Sequence, residues 1–138
     1  MASITLAEAE TILASSKAKI AEMGVKMSVS VTDPRGDLIA MVRTDGASWR
    51  TPYISRGKAV SSACFGVPSV ELEDRSRAPV FQAFTIMQDG SFIMGQGALP
   101  VYKNGELIGA VGSSGGNSQE DEDVARAGIE GAGLSESP

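Results

Sequence analysis

Gly109-Ala-Val-Gly-Ser-Ser-Gly-Gly-Asn-Ser-Gln-Glu-Asp-Glu-Asp123 is the stretch on which the reading of this chain turns. An apolar run that begins at Leu107 enters four small residues, Ser113, Ser114, Gly115 and Gly116. Ser118 then stands as the cap of an acidic helix. Small residues let backbone N–H groups crowd together, and a helix N-terminus adds partial positive charge. A strand-to-helix junction of this kind can dock an anionic or carbonyl group. It can equally be a plain tight turn, because both uses make the same demand on the sequence.

Working outward, Leu99–Tyr102 and Leu107–Gly112 flank Lys103-Asn104-Gly105-Glu106, and Asn-Gly between two apolar runs is the strongest short-range hairpin signal. Ser91–Met94 reads as a further strand, with Gly95–Ala98 a flexible or closely approached segment. Met27–Asp33 alternates with period two. Pro34-Arg35-Gly36-Asp37 turns it back into Leu38–Arg43 as a second hairpin.

Helices fill the gaps. Thr5 and Glu8 form a capping box for a helix over Leu6–Met23, which Gly24 ends. A second helix spans Pro52–Phe65, with Ile54, Ala59, Ala63 and Cys64 inward and Gly66 and Pro68 as its stop. Ser69 caps a short acidic turn through Asp74, Pro79–Met87 is a short helix, and Gln119–Ile129 is the last. Residues 131–138 form a polar tail expected to fray. Hairpins require antiparallel pairing and helices must cover the faces, so the order predicts an α+β domain with five antiparallel strands.

Composition narrows the function. The 138 residues, 42% hydrophobic and 21% charged, fit a single globular domain. No apolar run could cross a bilayer, and Met-Ala-Ser-Ile-Thr-Leu lacks the pattern of an export leader, so the expected place is the cytoplasm, away from the membrane. A net charge of −5 argues against a nucleic-acid partner. The single cysteine, Cys64, reads as a small core residue rather than a nucleophile. There is no histidine, which removes the commonest general base, metal ligand and haem ligand. Acid–base work must fall to Asp, Glu, Lys, Tyr or water. The acidic run at Glu120–Asp123 matches no metal-binding loop, and no metal is expected.

The chain resembles the GlcG/HbpS-like family, whose domain also forms the C-terminal part of PduO-type corrinoid adenosyltransferases. The resemblance runs over about residues 4–129 and rests on ordered motifs: Ile4–Glu10, Val29–Leu38, Arg43-Thr-Asp-Gly-Ala47, Arg56-Gly-Lys-Ala59, Gly97-Ala-Leu-Pro100, and Gly105–Gly116 with Asp121-Glu122. It implies a profilin-like three-layer α/β/α fold with the sheet in the order 2-1-5-4-3, and homo-oligomers from dimer to octamer. It also implies a small-molecule partner. Some relatives bind haem, and some are encoded beside genes for glycolate, diol or aromatic-compound catabolism. This sequence departs from the family at Ala98, where many relatives carry glycine, and in lacking histidine. Haem would need Tyr, Met, Lys, Cys or an unligated pocket, so no cofactor is required and haem is disfavoured.

These readings place a candidate site between the Arg43–Ala47 loop, the Lys58 helix and the Ser113–Gly116 turn. Arg43 could grip a carboxylate with its guanidinium fork or merely fix its loop. Asp45 could act as a base or close an Asx-turn with Gly46. Lys58 would line the pocket as a charge and could move a proton. Ser113 and Ser114 could offer hydroxyls, Gly115 and Gly116 backbone N–H groups. Asp121 could be the N3 acid of the last helix. Gly46 and Gly97 complete the ligand-binding set. The function expected is binding of a small oxygenated organic acid in a catabolic pathway. If the chain is an enzyme, it works by cofactor-independent acid–base chemistry as an isomerase, lyase or hydrolase. The alternatives are a non-enzymatic haem binder and an oligomeric accessory module.

Overall fold

A computed structural model describes all 138 residues. The elements are α1 (Leu6–Met23), β1 (Ser28–Thr32), β2 (Leu38–Arg43), α2 (Thr51–Phe65), α3 (Pro79–Met87), β3 (Ala98–Lys103), β4 (Glu106–Ser114) and α4 (Ser118–Gly131). Two short 3-10 turns, Ser69–Leu72 and Arg75–Arg77, lie between α2 and α3. The strands form one antiparallel sheet in the order β2-β1-β4-β3.

The α+β class and the antiparallel pairing stand, but the sheet has four strands rather than five. The four keep the relative order expected of them, and Ser91–Met94 is not a strand. The Ile93 N–H donates to Gly57 O of α2 at 3.1 Å, so this segment spends its backbone donor on a helix and not on the edge of β3. Gly57 makes that possible: a Cβ there would come within 2.6 Å of the Ile93 side chain. Short apolar runs do not reveal which neighbour they will pair with.

Period-two alternation assigns the two faces of the sheet. Val29, Val31, Leu99, Val101 and Val111 pack with Ile12, Ile20, Val124 and Ile129 of α1 and α4 into the main core. Each such side chain contributes about 1.5–3 kcal/mol on burial. The other face is small and polar. The Ser28 and Ser30 hydroxyls meet those of Thr51 and Ser55 on α2 at 2.8 Å each. Gly112 leaves no side chain beneath Ser55 and Ala59, so α2 lies directly on the sheet backbone. The result is three layers, α1 and α4 below the sheet and α2 above.

Three local expectations need correction. Asn117, not Ser118, caps α4: its side chain accepts from the Glu120 N–H, and Glu120 answers as the N3 acid. Asp121 is thereby free for another task. Residues 131–138 are tied down, because Tyr102 N donates to Ser135 O at 2.7 Å and Arg126 Nε meets Glu136 at 2.9 Å. Cys64 is exposed rather than inward. Partial burial still raises its thiol above the ordinary value, which leaves it a poor nucleophile at neutral pH.

Candidate functional site

The α1–β1 connection, the β2–α2 loop and the β4–α4 turn meet above the open end of the sheet. They enclose a cleft of about 590 Å³, walled by Lys26, Gly46–Ser48, Arg50, Thr51, Ile54 and Ser114–Gly116, with Gly24 and Val25 at its edge. Each wall has a local cause. Thr44 fixes the β2–α2 loop by donating its hydroxyl to Met27 O at 2.8 Å and accepting from Met27 N at 2.9 Å. Arg43 adds a bond from Nε to Ala47 O at 3.0 Å. Gly115, at φ 133°, sits on the backbone of Lys26 and Met27 with no room for a side chain.

The electrostatics of the cleft are one-sided. Lys26 and Arg50 are its charged lining residues, and neither is held in an ion pair. The N-terminus of α2 opens at Arg50–Thr51 without a side-chain cap; the Thr51 N–H is spent on Ser48 O at 3.1 Å and Pro52 has none, so the helix brings the positive end of its dipole to the cleft rather than free donors. Ser114 is 6% exposed, and its hydroxyl, unlike those of Ser28, Ser30 and Ser55, makes no hydrogen bond within the chain. That hydroxyl keeps contact with the solvent of the cleft, so it can donate to an acceptor supplied from outside.

Behind the Ser114–Gly116 wall lies the one ion pair in which both side chains are buried. Lys58 Nζ lies 2.9 Å from Asp121 Oδ2 and donates to Ser113 O at 3.1 Å. Asp121 Oδ1 accepts from Gly116 N at 2.9 Å. The pair thus grips both ends of the turn and ties α2 to α4 around the end of the sheet. Gly97, at φ 138°, opens the passage: a Cβ there would lie 2.7 Å from Lys58 Nζ and 3.0 Å from Asp121 Cβ. Burial pushes the Asp121 carboxyl above its ordinary value, and Lys58 and the Gly116 N–H pull it part of the way back.

The residues singled out in the sequence are therefore brought together in two groups. Gly46, Ser114, Gly115 and Gly116 line the cleft; Lys58, Gly97, Ser113 and Asp121 form the buried support behind it. The Ser113 hydroxyl is fully buried with no partner. Arg43 and Asp45 lie outside the cleft lining, both exposed. Arg43 makes the loop-fixing contact, and no Asx-turn forms at Asp45. Sequence reading missed Lys26 and Arg50. Each is a single cation in a loop, with no spacing that marks it; the only usable signal was that Arg50 precedes a helix start. No three acidic or cysteine side chains converge as a metal site would need.

An antiparallel sheet between helical layers, with a cleft at its open end, defines the class: an α+β domain of three layers. The family model described as haem degrading protein HbpS-like matches residues 4–130, and the chain belongs to this HbpS-like family. It is 34% identical over 132 residues to an uncharacterized 15.0 kDa protein from the dhaT-dhaS intergenic region of Citrobacter freundii, covering 94% of this chain and 92% of that protein. The crystal structure of Klebsiella pneumoniae protein ORFY superposes with a TM-score of 0.88 at 28% identity, covering 96% of this chain and 92% of that one. A crystal structure of a PduOC–haem complex superposes with a TM-score of 0.87 over 99% of both chains; at 20% identity it attests the fold.

The haem of that complex raises the question of fit. The cleft here offers an iron one amine, from Lys26, and no His, Met, Cys or Tyr; hydrophobic residues make up 3 of the 12 that line it. A porphyrin face needs apolar walls and iron needs a ligand. The residues that line this cleft do not fit haem.

Proposed function

We propose that the protein binds a small oxygenated organic acid in the cleft between Lys26, Arg50 and Ser114. The observation that carries this reading is the pairing of two unpaired cations, at the positive end of a helix, with a cleft-facing hydroxyl that makes no bond within the chain. A carboxylate would accept from Arg50 or Lys26 at the positive end of the α2 dipole, and a neighbouring carbonyl or hydroxyl oxygen would accept from Ser114. Proton transfer within a catabolic pathway would add to binding if Lys58, Asp121 or Asp45 gained access to the ligand. Binding itself requires none of them to titrate. The same reading includes a homo-oligomer as the working form and no cofactor.

The test is calorimetric titration with acetate, lactate and malonate. The reading expects a saturable heat for at least one of them, and a loss of at least tenfold in affinity on Arg50→Met, equivalent to about 1.4 kcal/mol. Equal affinity in the variant would reject the site.

The second reading, haem binding, is favoured by family membership and by two cations able to meet two propionates. It predicts a Soret shift that saturates at a fixed protein ratio. A cleft with a single amine for iron and few apolar walls leads us to expect simple additive absorbance instead.

A further inference from the structure

Helix α3 is strongly apolar and covers almost nothing. From Ala78 to Gln88 the chain carries no charge, yet no residue of the helix is buried. Phe81 and Phe84 turn inward, their rings 5.7 Å from Phe65 and 5.0 Å from Phe92. Val80, Ile86 and Met87 are left 68%, 77% and 76% exposed. A hollow of about 430 Å³ lies alongside, lined by Ser76, Gln82, Thr85, Ile86, Phe92 and Met94, again without a charge. A helix of 9 residues does not hold itself in water. An apolar face of this size on an isolated chain marks an interface.

We propose that this face seats a second copy of the same chain, the two α3 helices packing antiparallel about a two-fold axis. The charges at the helix ends select that occupant. Arg77 stands just before α3, with its side chain 81% exposed and only a loose 3.6 Å contact to Asp74. Asp89 stands just past the other end, exposed and in no ion pair. Antiparallel pairing brings Arg77 of each copy to Asp89 of the other, so the surface is complementary to itself, as a two-fold interface requires. Ile86 and Met87 of each copy then face the hollow of the other. The three exposed side chains offer on the order of 400 Å², roughly half of the 800 Å² per partner that a stable dimer buries. The flanking Arg75–Arg77 and Gln88–Ser91 segments supply the rest. Family resemblance implies oligomers; the surface and the register come from α3 itself.

Sedimentation velocity tests the proposal. Wild-type protein at about 10 μM is expected to sediment as a dimer or a larger even-numbered assembly. The double variant Ile86→Glu, Met87→Glu is expected to sediment at the monomer mass with an unchanged circular dichroism spectrum, since neither side chain belongs to the core. Arg77→Glu is expected to raise the dissociation constant at least tenfold at low salt. A monomeric wild type, or a double variant that assembles like wild type, would overturn the interface. Undiminished association in Arg77→Glu would overturn the antiparallel register. Neither outcome bears on ligand binding, which is read separately by titration.

Discussion

Lys58 and Asp121 show how a residue can matter to a site without reaching its ligand. Both are buried, and between them they hold Ser113 O and Gly116 N, the two ends of the turn that walls the cleft. Removing one partner leaves the other charged and unpaired in the interior, so Lys58→Met should cost about 3–5 kcal/mol in chemical denaturation. Replacing both, as Lys58→Met with Asp121→Leu, should cost much less. The two serines next to each other in the turn should part company. Ser113 has a buried hydroxyl with no partner, and Ser113→Ala should raise stability by about 1 kcal/mol, seen as a melting point about 2–4 °C higher. Ser114→Ala should leave the melting point unchanged and weaken ligand binding, because its hydroxyl lines the cleft.

At the scale of the element, the caps set the acid response. Glu8 lies below the ordinary carboxylate value, chiefly through the Thr5 N–H; burial opposes this, and Lys103 at 3.1 Å reinforces it. A lowered value in the folded chain means stability that is full above the ordinary carboxylate range and lost as pH falls through the folded value. Glu8→Gln should therefore destabilise at neutral pH, with the difference from wild type fading in acid. Asp121 runs the other way. Its raised value means the folded state holds that proton more tightly than the unfolded chain. Its contribution declines as pH rises from the ordinary value through the folded one, and Asp121→Asn should remove that slope. Melting points of the two variants from pH 3 to 7 would check both signs.

Local signals of this kind were legible in the sequence. The Thr5–Glu8 box, the Gly24 stop and the Asn104-Gly105 hairpin all formed where the residues placed them. The cap of α4 was misread by one residue, because Asn117 and Ser118 are both good caps and only the position of Glu120 decides between them. That slip concealed Asp121's partnership with Lys58, a contact across 63 residues of chain that no local pattern encodes.

At the scale of the whole molecule, the sheet order of the strands that formed was legible through the resemblance, and the fifth strand was not. Ser91–Met94 has strand composition, but its fate was set by Gly57 on a distant helix. The candidate site divides in the same way. Two of the segments that meet at the cleft, the β2–α2 loop and the β4–α4 turn, were read from the chain; the α1–β1 connection was not, Lys58 lies behind the wall, and the cations that face the cleft, Lys26 and Arg50, emerged only when loops far apart in sequence came together. Arg43, a stronger motif than either, fixes the loop at Ala47.

Trp49 offers the most direct test of the cleft. It is the only tryptophan, it is 67% exposed, and it lies between the lining residues Ser48 and Arg50. Its fluorescence should respond saturably to a small hydroxycarboxylate such as lactate in wild-type protein. The response should weaken at least tenfold in apparent affinity in a Lys26→Met, Arg50→Met variant that melts like wild type. A response of equal affinity in that variant, or no saturable response to any small carboxylate, would contradict the account.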